Sequence, residues 1–446
     1  MTREKYQSPR TVGFVALGCP KAVVDSERML AEIVQADFIL TADLETADVV
    51  VINTCGFIAP AKAEALEAIK HAVDCKRNGT VKKVVVAGCL VQRMGKELFN
   101  ESGGIDAIVG LGQRDRIAKI INKTIGSAKP AAFLDLHCPD VSDDRTRLKI
   151  TPSHWAYLRI SDGCNHRCAF CTIPAIRGRF RSKPQNLILN EAAELVESGA
   201  VELNIIAQDT TYYGRDMKTK NGLALLLKEL EKIPKLRWIR LMYLYPAGVT
   251  ESLVEAIAAS EKIVKYFDIP IQHINNKILK DMRRPDTQDR ICRLIENLRA
   301  VFADIVLRTT IIVGLPGETE RQFDELLEFV EWAQFDALGA FKYYPESGTE
   351  AAKMPGQVPE KIKDQRFEKL MGTQQKIAFA KNKLGDKLTC LVDCVDSENT
   401  GRGRFYGQAP YIDSICIIKN CTAAPGQFID TRVVKTKDYD LIVRQI

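Results

Sequence analysis

The sequence has little of what a membrane-spanning or secreted protein needs. Its apolar runs, such as Val84–Ala87, are far too short to cross a bilayer, and its polar first ten residues contain no apolar signal core. It also contains no low-complexity tract and no coiled-coil heptads. These absences predict a cytoplasmic protein that does not enter a membrane.

The excess of charge of one sign is small as well. The chain carries 63 Lys and Arg against 57 Asp and Glu, a formal net charge of +6, which by itself is too little to indicate a nucleic-acid partner. With 446 residues, 46% of them apolar, the chain is too long for one hydrophobic core and too apolar for disorder. We therefore expect two or three domains.

The first part of the chain shows repeated strand–helix units. Apolar, β-rich runs at Val12–Leu17, Val49–Ile52 and Val84–Val86 are each followed by a helical pattern. This pattern predicts an N-terminal α/β domain over residues 1–130 with a parallel, helix-covered sheet. A polar stretch containing Pro and Asp then predicts a linker over residues 131–153.

Two further domains are predicted after the linker, which makes the fold class α/β overall. Residues 154–375 contain six strand-like runs that alternate with helical segments and indicate a partial βα, TIM-like barrel: Ala156–Ile160, Val201–Ala207, Trp238–Leu244, Tyr266–Ile271, Val306–Val313 and Ala337–Tyr343. Residues 383–446 contain five short strand candidates and indicate a small antiparallel β-barrel: Leu388–Val395, Gly401–Gln408, Tyr411–Ile418, Gln427–Val434 and Asp440–Arg444.

The thirteen cysteines are the most informative residues, because cytosolic thiols stay reduced and a cluster of them points to metal binding or catalysis. Cys164, Cys168 and Cys171 form a C-x3-C-x2-C triplet directly after a predicted strand. Three thiolates on one loop can hold three irons of a [4Fe–4S] cluster and leave the fourth iron open to a ligand. The alternative is a zinc site with His166 as the fourth ligand, although zinc sites more often use paired C-x2-C knuckles.

Cys19, Cys55 and Cys89 form a second set. Each follows a predicted strand of the N-terminal domain, so chain order places all three at the carboxyl edge of one sheet. A single cysteine there would be taken as a small buried apolar residue. Three in matching positions instead predict a second, auxiliary [4Fe–4S] cluster with an open iron.

The other cysteines and the histidines show no comparable pattern. His166, within the cysteine loop, and His273, after a predicted strand, could transfer a proton, but a core or loop role is the more common one. We predict structural roles for the seven remaining cysteines: Cys75, Cys138, Cys292, Cys390, Cys394, Cys416 and Cys421.

The cysteine loop at the head of a barrel resembles the radical S-adenosylmethionine (SAM) superfamily. By this resemblance Cys164, Cys168 and Cys171 hold a cluster whose open iron binds SAM, and electron transfer from it yields a 5′-deoxyadenosyl radical. Phe170 would then lie beside the adenine, and Gln208 and Gly314 would also contact the cofactor. Without the cysteines, the glycines near Gly314 would indicate only a strand-to-helix turn.

Two open-site clusters and a terminal β-barrel resemble the methylthiotransferase family of radical SAM enzymes over nearly the whole chain. The family has an N-terminal three-cysteine domain, a radical SAM core and a C-terminal TRAM domain, and it inserts a methylthio group at an unactivated C–H bond. The resemblance implies that one SAM methylates a sulfur on the auxiliary cluster and that a second SAM provides the radical that abstracts hydrogen from the substrate.

Motifs outside the clusters are similar to the RimO branch, which modifies the β-carbon of an aspartate in ribosomal protein S-twelve. The alternative MiaB branch modifies tRNA and has Gln-Met-Asn after the first cysteine, where this chain has Pro-Lys-Ala. Two departures are Ala22, where Asn is usual, and Gly248, where His is common. The RimO-like segments are Gly18–Glu27, Ala207–Gly214, Tyr245–Thr250, Asp268–His273, Met282–Arg284 and Gln408–Asp413.

The charge of the last domain gives evidence on the partner that does not depend on these motifs. The last domain carries eight cationic and eight anionic side chains from Asp386 onward, and a neutral barrel suits a protein partner better than RNA, whose phosphates demand a basic surface. One basic run, Arg177–Lys183, could bind a phosphate or an acidic side chain, or be a solvated surface. A third hypothesis, from a different functional class, is a non-catalytic iron–sulfur or zinc protein that docks on RNA through its barrel. The expected partners are ribosomal protein S-twelve and a flavodoxin- or ferredoxin-type electron donor, with the chain a monomer.

Overall fold

The computed structural model describes residues 10–135, 141, 143–381 and 383–446. The chain divides into two compact units. The first contains the described residues up to Ile150 together with 162–165 and 171–181, and the second contains 151–161, 166–170 and 182–446.

The first unit is built on a six-stranded parallel sheet in the order β2-β1-β3-β4-β5-β6. Its strands are β1 (Thr11–Ala16), β2 (Ile39–Thr41), β3 (Val49–Thr54), β4 (Lys83–Gly88), β5 (Ala107–Val109) and β6 (Ala131–Phe133). Its helices are α1 (Pro20–Gln35), α2 (Ala59–Arg77), α3 (Cys89–Met94), α4 (Leu98–Glu101), α5 (Ile117–Ile125) and α6 (Ile173–Arg177).

Both faces of this sheet are buried, which explains why its central strands read as unbroken valine-rich runs. Side chains alternate along each strand, so Val50 and Val84 pack toward α2 on one face. Val49 and Val85 pack toward α1 and α5 on the other face. The sheet is thus doubly wound, with helices on both sides.

The second unit contains a six-stranded parallel sheet in the order β14-β13-β12-β11-β10-β7. Its strands are β7 (Trp155–Arg159), β10 (Glu202–Ile206), β11 (Trp238–Leu241), β12 (Ile263–Asp268), β13 (Val306–Val313) and β14 (Ala337–Lys342). Two short strands that are not part of this sheet, β8 (Ser161–Asp162) and β9 (Arg181–Ser182), form a separate pair. Its helices are α7 (Gln185–Glu197), α8 (Gly222–Leu230), α9 (Glu251–Ala258), α10 (Asn276–Asp281), α11 (Gln288–Val301), α12 (Glu320–Ala333) and α13 (Glu360–Ala380).

A closed five-stranded barrel completes the second unit. Its strands are β15 (Lys387–Val395), β16 (Gly401–Phe405), β17 (Cys416–Lys419), β18 (Phe428–Lys437) and β19 (Asp440–Gln445), paired in the order β15-β16-β17-β19-β18. The pairs are antiparallel as predicted, except that β17 and β19 run parallel. The predicted strand Tyr411–Ile418 starts late because the chain before Cys416 is a turn in which Tyr411 has a φ of 66°.

Buried charges fasten the barrel to the sheet of the second unit. The Glu202 carboxylate on β10 accepts a hydrogen bond from Arg404 Nη1 on β16 at 2.7 Å, and both residues are almost fully buried. Tyr266 Oη on β12 donates to Asp413 Oδ2 at 2.7 Å. Removing one partner of a buried ion pair typically costs about 3–5 kcal/mol, so the Glu202–Arg404 pair fixes the barrel to the sheet, and the Tyr266 hydrogen bond adds to it.

The α/β fold with an N-terminal parallel sheet, a partial βα barrel and a C-terminal β-barrel is confirmed. The predicted linker over 131–153 differs in one respect: Ala131–Phe133 is not linker but strand β6, paired with β5 at the edge of the first sheet. Residues 171–181, predicted within the core at 154–375, pack with the first unit. Among the described residues, none of the helices is long and apolar enough to span a membrane.

Candidate active site

Cys19, Cys55 and Cys89 follow three adjacent strands of the first sheet. Cys19 comes after β1 and precedes α1, Cys55 follows β3, and Cys89 follows β4 as the first residue of α3. Because β1, β3 and β4 are parallel neighbours, their carboxyl ends bring the three cysteines to one edge, as the sequence predicts. Their role as cluster ligands stays a prediction.

This edge includes the point where the direction of the sheet reverses. From β1 the chain moves outward to β2 and then returns to β3 on the other side of β1. Such a switch point opens a crevice at the carboxyl ends of the strands, where α/β sheets bind ligands. Cys19 and Cys55 flank it. Gly18 has a φ of 108°, and a Cβ built there would lie 3.1 Å from Cys55 Cβ, a tight contact.

The three thiols differ in how readily they ionise. Burial opposes ionisation of Cys19, but the cations of Lys21 and Arg177 and nearby backbone N–H groups outweigh it, so its pKa is lowered. Burial raises the pKa of Cys55, and it raises the pKa of Cys89 to about 12 despite the Arg177 cation. Cys19 is therefore the thiol that ionises most easily, and binding of a metal centre would have to supply the driving force at the other two.

A buried network of ion pairs stands beside Cys89. Arg177 Nη2 lies 3.4 Å from Cys89 Sγ and 2.8 Å from Asp25 Oδ2, and Nη1 lies 3.2 Å from Asp162 Oδ2. Arg114 Nη1 takes the other oxygen of Asp25 at 2.5 Å. Arg177 is therefore not a solvated surface residue, and it is not available to bind a phosphate. Of the three roles considered for the basic run Arg177–Lys183, pairing with an acidic side chain is the one that Arg177 has.

A substitution at Gly88 tests whether Cys89 lies at a metal centre at this edge of the sheet. Its φ is 99°, and an added Cβ would meet Asn53 Oδ1 and, at 2.6 Å, the Thr54 carbonyl oxygen. We expect Gly88→Ala to displace Cys89 and to reduce iron in the reconstituted protein by up to about four atoms per chain, the content of one [4Fe–4S] cluster. Iron analysis and the midpoint of thermal unfolding measure the two effects.

Gly79 provides the matched control. Its φ is 82°, but nothing lies within 4 Å of an added Cβ. Gly79→Ala should therefore lower stability by only about 1–2 kcal/mol, the cost of left-handed backbone for a residue with a Cβ, and leave iron unchanged. Equal iron in the two variants would contradict the placement of Cys89 at a metal centre.

The second triplet lies on the loop between β8 and α6. Cys164 N donates to the Gly178 carbonyl at 3.1 Å, and Cys171 Sγ accepts from Ile173 N at 3.5 Å. Gly163, at a φ of 77°, lets the loop pass directly over the Arg179 backbone. The three thiols are each half-buried. Cys164 and Cys171 belong to segments of the first unit, and Cys168 to a segment of the second.

Cys168 lies beside a stack of polar side chains. Burial raises its pKa, although the Arg284 guanidinium hydrogen-bonds it and acts in the opposite direction. Arg284 covers one face of the Tyr245 ring at 4.3 Å, and the His166 ring stacks on Tyr245 at 3.9 Å between centroids. His166 Nε2 bonds to Asp209 Oδ2 at 2.6 Å. These contacts commit His166 to Tyr245 and Asp209, which disfavours the zinc site with His166 as fourth ligand.

The residues predicted to contact SAM lie at the carboxyl ends of the second sheet. Gln208 follows β10, and Gly314 follows β13. Phe170 packs in one apolar cluster with Leu315. Gly314 has a φ of 78°, and an added Cβ would collide with the Lys363 side chain, so packing alone requires glycine there. The structure brings these positions to one end of the sheet, and their contact with SAM stays a prediction.

The chemistry at this end fits a cluster with bound SAM. Tyr245 Oη is buried and has no hydrogen-bond partner within the described part of the chain. It lies in the same group as the Arg284 cation and the Cys168 thiol. A ligand that carries a carboxylate and an amine, as SAM does, would supply the missing hydrogen-bond partner and a counter-charge. The three thiols match the donor set of an open-site [4Fe–4S] cluster.

The sequence predicts no individual role for Arg284, Tyr245 or Asp209, although each lies in one of the RimO-like segments. The signal was the chemistry of those motifs: a cation, a phenol and a carboxylate, each just after a predicted strand or in a loop. His273, by contrast, is fully buried, its pKa is lowered to about 3 by burial and by Arg366, and its Nδ1 accepts from Asn275 N. It therefore stays neutral in a structural position.

Within the described part of the chain, the remaining cysteines lie on other segments than the two triplets. Cys138 lies outside the described residues. Cys390, Cys416 and Cys421 are buried in the C-terminal barrel. Cys75 is buried on α2, where its Sγ and donor atoms of Glu45 and His71 lie within 4.8 Å of one another, a grouping able to hold a cation. Their structural roles stay predictions.

Comparison with known families divides the chain in three. The radical SAM superfamily matches residues 158–330, the uncharacterized protein family UPF0004 matches residues 11–110, and the TRAM domain matches residues 384–446. The first match contains the loop triplet, and the second contains Cys19, Cys55 and Cys89.

Relatives match over almost the whole chain. The ribosomal protein uS12 methylthiotransferase RimO of Geobacter sulfurreducens is 44% identical over 97% of both chains. The protein of that name from Syntrophomonas wolfei subsp. wolfei is 41% identical over 97% of this chain and 99% of its own.

Solved structures of similar fold are far more distant in sequence. The radical S-adenosylmethionine methyltransferase TsrM of Kitasatospora setae, with tryptophan and a SAM analogue bound, has a TM-score of 0.56 at 12% identity, covering 82% of this chain and 89% of its own. The cobalamin-dependent enzyme OxsB has a TM-score of 0.51 at 13% identity, covering 83% of this chain and 56% of its own.

Proposed function

Because this chain belongs to the RimO family of ribosomal protein uS12 methylthiotransferases, we propose that its two cysteine triplets hold the two clusters of that reaction. The chain is a radical SAM enzyme that uses SAM and two [4Fe–4S] clusters to add a methylthio group to the β-carbon of an aspartate in ribosomal protein uS12. The observation that supports the assignment is the placement of Cys19, Cys55 and Cys89 after three adjacent parallel strands.

In this proposal Cys164, Cys168 and Cys171 hold the SAM-binding cluster, which supplies the electron for cleavage of SAM. Arg284 offsets the charge of the Cys168 thiolate, as its contact with that thiol indicates. The buried Tyr245 hydroxyl is available to donate to the carboxylate of SAM. Phe170, Gln208 and Gly314 line the cofactor, for which their positions at the carboxyl ends of the second sheet are suited.

Cys19, Cys55 and Cys89 hold the auxiliary cluster, which when bound carries the sulfur that receives the methyl group. Cys19 precedes helix α1, whose first backbone N–H groups favour a thiolate. Cys89 is buried, and the nearby Arg177 cation favours its thiolate against the cost of burial. The edge thus provides one buried and two half-buried cysteine thiols.

The C-terminal barrel supports a protein substrate over tRNA. It has no net charge, and Arg404, one of its eight cations, is buried in ion pairs with Glu202 and Asp393. Fewer cations therefore remain on its surface for phosphate contacts, on which RNA affinity depends. The partners in this proposal are ribosomal protein uS12 and a flavodoxin- or ferredoxin-type electron donor, and the chain acts as a cytoplasmic monomer.

The mass of ribosomal protein uS12 tests this function. In a strain that lacks this chain, uS12 should lose the methylthio increment, and expression of the wild-type chain should restore it. Expression of a chain with Cys168→Ala should not restore it. If uS12 is unchanged while the tRNA nucleosides lose a methylthio group, the chain acts on tRNA instead, and the aspartate assignment is wrong.

A further inference from the structure

The guanidinium of Arg177 is an unusual neighbour for a metal-ligand thiol because it is bound on three sides and almost fully buried, with 2% of the residue exposed. Its Nη2 is shared between Asp25 Oδ2 at 2.8 Å and Cys89 Sγ at 3.4 Å, and its Nη1 is held by Asp162. All three contacts lie within the first unit. The orientation of the guanidinium is therefore fixed by charge-assisted hydrogen bonds.

Neutralising Asp25 does not require Arg177. Arg114 already donates to Asp25 Oδ1 at 2.5 Å and is itself buried. The two arginines and the carboxylates of Asp25 and Asp162 balance in charge before any thiolate is counted. The Cys89 sulfur is the third neighbour of the Arg177 guanidinium, and it is the neighbour whose negative charge increases when a cluster binds.

We propose that Arg177 is a positioning residue for the auxiliary cluster, which hydrogen-bonds the Cys89 thiolate and stabilises the more negatively charged states of the cluster. The proposal rests on the assignment of Cys19, Cys55 and Cys89 as ligands. Hydrogen bonds to ligand sulfurs and the charge around a cluster set its reduction potential. Arg177 therefore raises that potential, and Asp25, whose anion lies on the same guanidinium, lowers it.

The position of Arg177 depends on the loop that carries the other triplet. Arg177 is the last residue of α6, six residues after Cys171. The next residue, Gly178, has a φ of 73° and accepts a hydrogen bond from Cys164 N at 3.1 Å. The backbone that holds a SAM-cluster cysteine therefore also fixes the arginine at an auxiliary-cluster cysteine.

The test uses the full-length chain with Cys164, Cys168 and Cys171 replaced by alanine, so that the auxiliary cluster is the one that loads. Arg177→Met, Arg177→Lys and Asp25→Asn are added singly, and reconstitution is followed by iron and sulfide analysis. Redox titration is monitored by electron paramagnetic resonance. Arg179→Met is the control, because Arg179 is an exposed cation two residues further along the chain.

We expect Arg177→Met to lower the ratio of reduced to oxidised cluster at fixed potential about tenfold, equivalent to a midpoint about 59 mV lower for one electron. Arg177→Lys should restore part of this shift because it keeps the charge. Asp25→Asn should move the midpoint in the opposite direction, and Arg179→Met should leave it unchanged. A residue with a merely structural role would not give shifts of opposite sign.

Unchanged midpoints in Arg177→Met and Asp25→Asn, or shifts of the same sign in both, would overturn the proposal. If Arg177→Met fails to hold a cluster, retention by Arg177→Lys supports the proposal, whereas loss in both variants reduces Arg177 to a folding requirement and overturns it. The ligand assignment is tested separately by Cys89→Ala. Retention of both clusters in that variant would refute the proposed function itself.

Discussion

Replacing Cys168 with alanine is expected to abolish reductive cleavage of SAM. An open-site cluster needs three thiolates, and the change removes one of them and leaves the Arg284 guanidinium without its thiol partner. Iron in the reconstituted protein should fall from about eight to about four atoms per chain. The readout is 5′-deoxyadenosine, measured after reduction of the protein in the presence of SAM.

Cys292→Ala is the control for this loss. Cys292 is half-buried on α11 and packs against the apolar core of the second unit. Its replacement should leave both iron content and 5′-deoxyadenosine formation intact. Formation of 5′-deoxyadenosine by the Cys168→Ala protein at the wild-type rate would rule out the loop triplet as the SAM-binding centre.

Replacing Cys89 with alanine should separate cleavage of SAM from transfer of sulfur. We expect the iron content to fall again to about four atoms per chain, while reductive cleavage of SAM continues because the loop triplet is intact. Transfer of the methylthio group to uS12 should fall to zero. The two products, 5′-deoxyadenosine and modified uS12, are measured in the same reaction.

Cys75→Ala serves as the control for Cys89→Ala. Cys75 is also buried in the first unit, but on α2 and in the core on one face of the sheet. The variant should lose some stability from its smaller side chain and keep both products. Modified uS12 from the Cys89→Ala protein would show that a cluster held at the sheet edge is not needed for transfer of the methylthio group.

The sequence predicts the strands best where the chain itself marks their ends. Val306–Val313 is predicted and observed with the same limits, since a Gly-Leu-Pro-Gly turn follows it. The three-residue strands β2, β5 and β6 were missed, because three residues are too few to show a period. Pairing with neighbouring strands defines them, and that information is not local.

In the candidate site, too, features marked by local sequence can be predicted and features set by long-range contacts cannot. The cysteines could be grouped from sequence because parallel strands bring their carboxyl ends to one edge. Burial of Arg177 could not be foreseen, since a run of basic residues is usually solvated. Its partner Asp25 is 152 residues away in the chain. Long-range ion pairs of this kind leave no mark in local sequence.

The buried charges between the C-terminal barrel and the second sheet have a consequence for substrate choice. Removing one partner of such a pair typically costs about 3–5 kcal/mol, because the charge left behind is buried and unpaired. A module held in this way cannot extend or retract to suit different ligands. A protein that docked on the barrel would therefore meet the second sheet at one fixed distance.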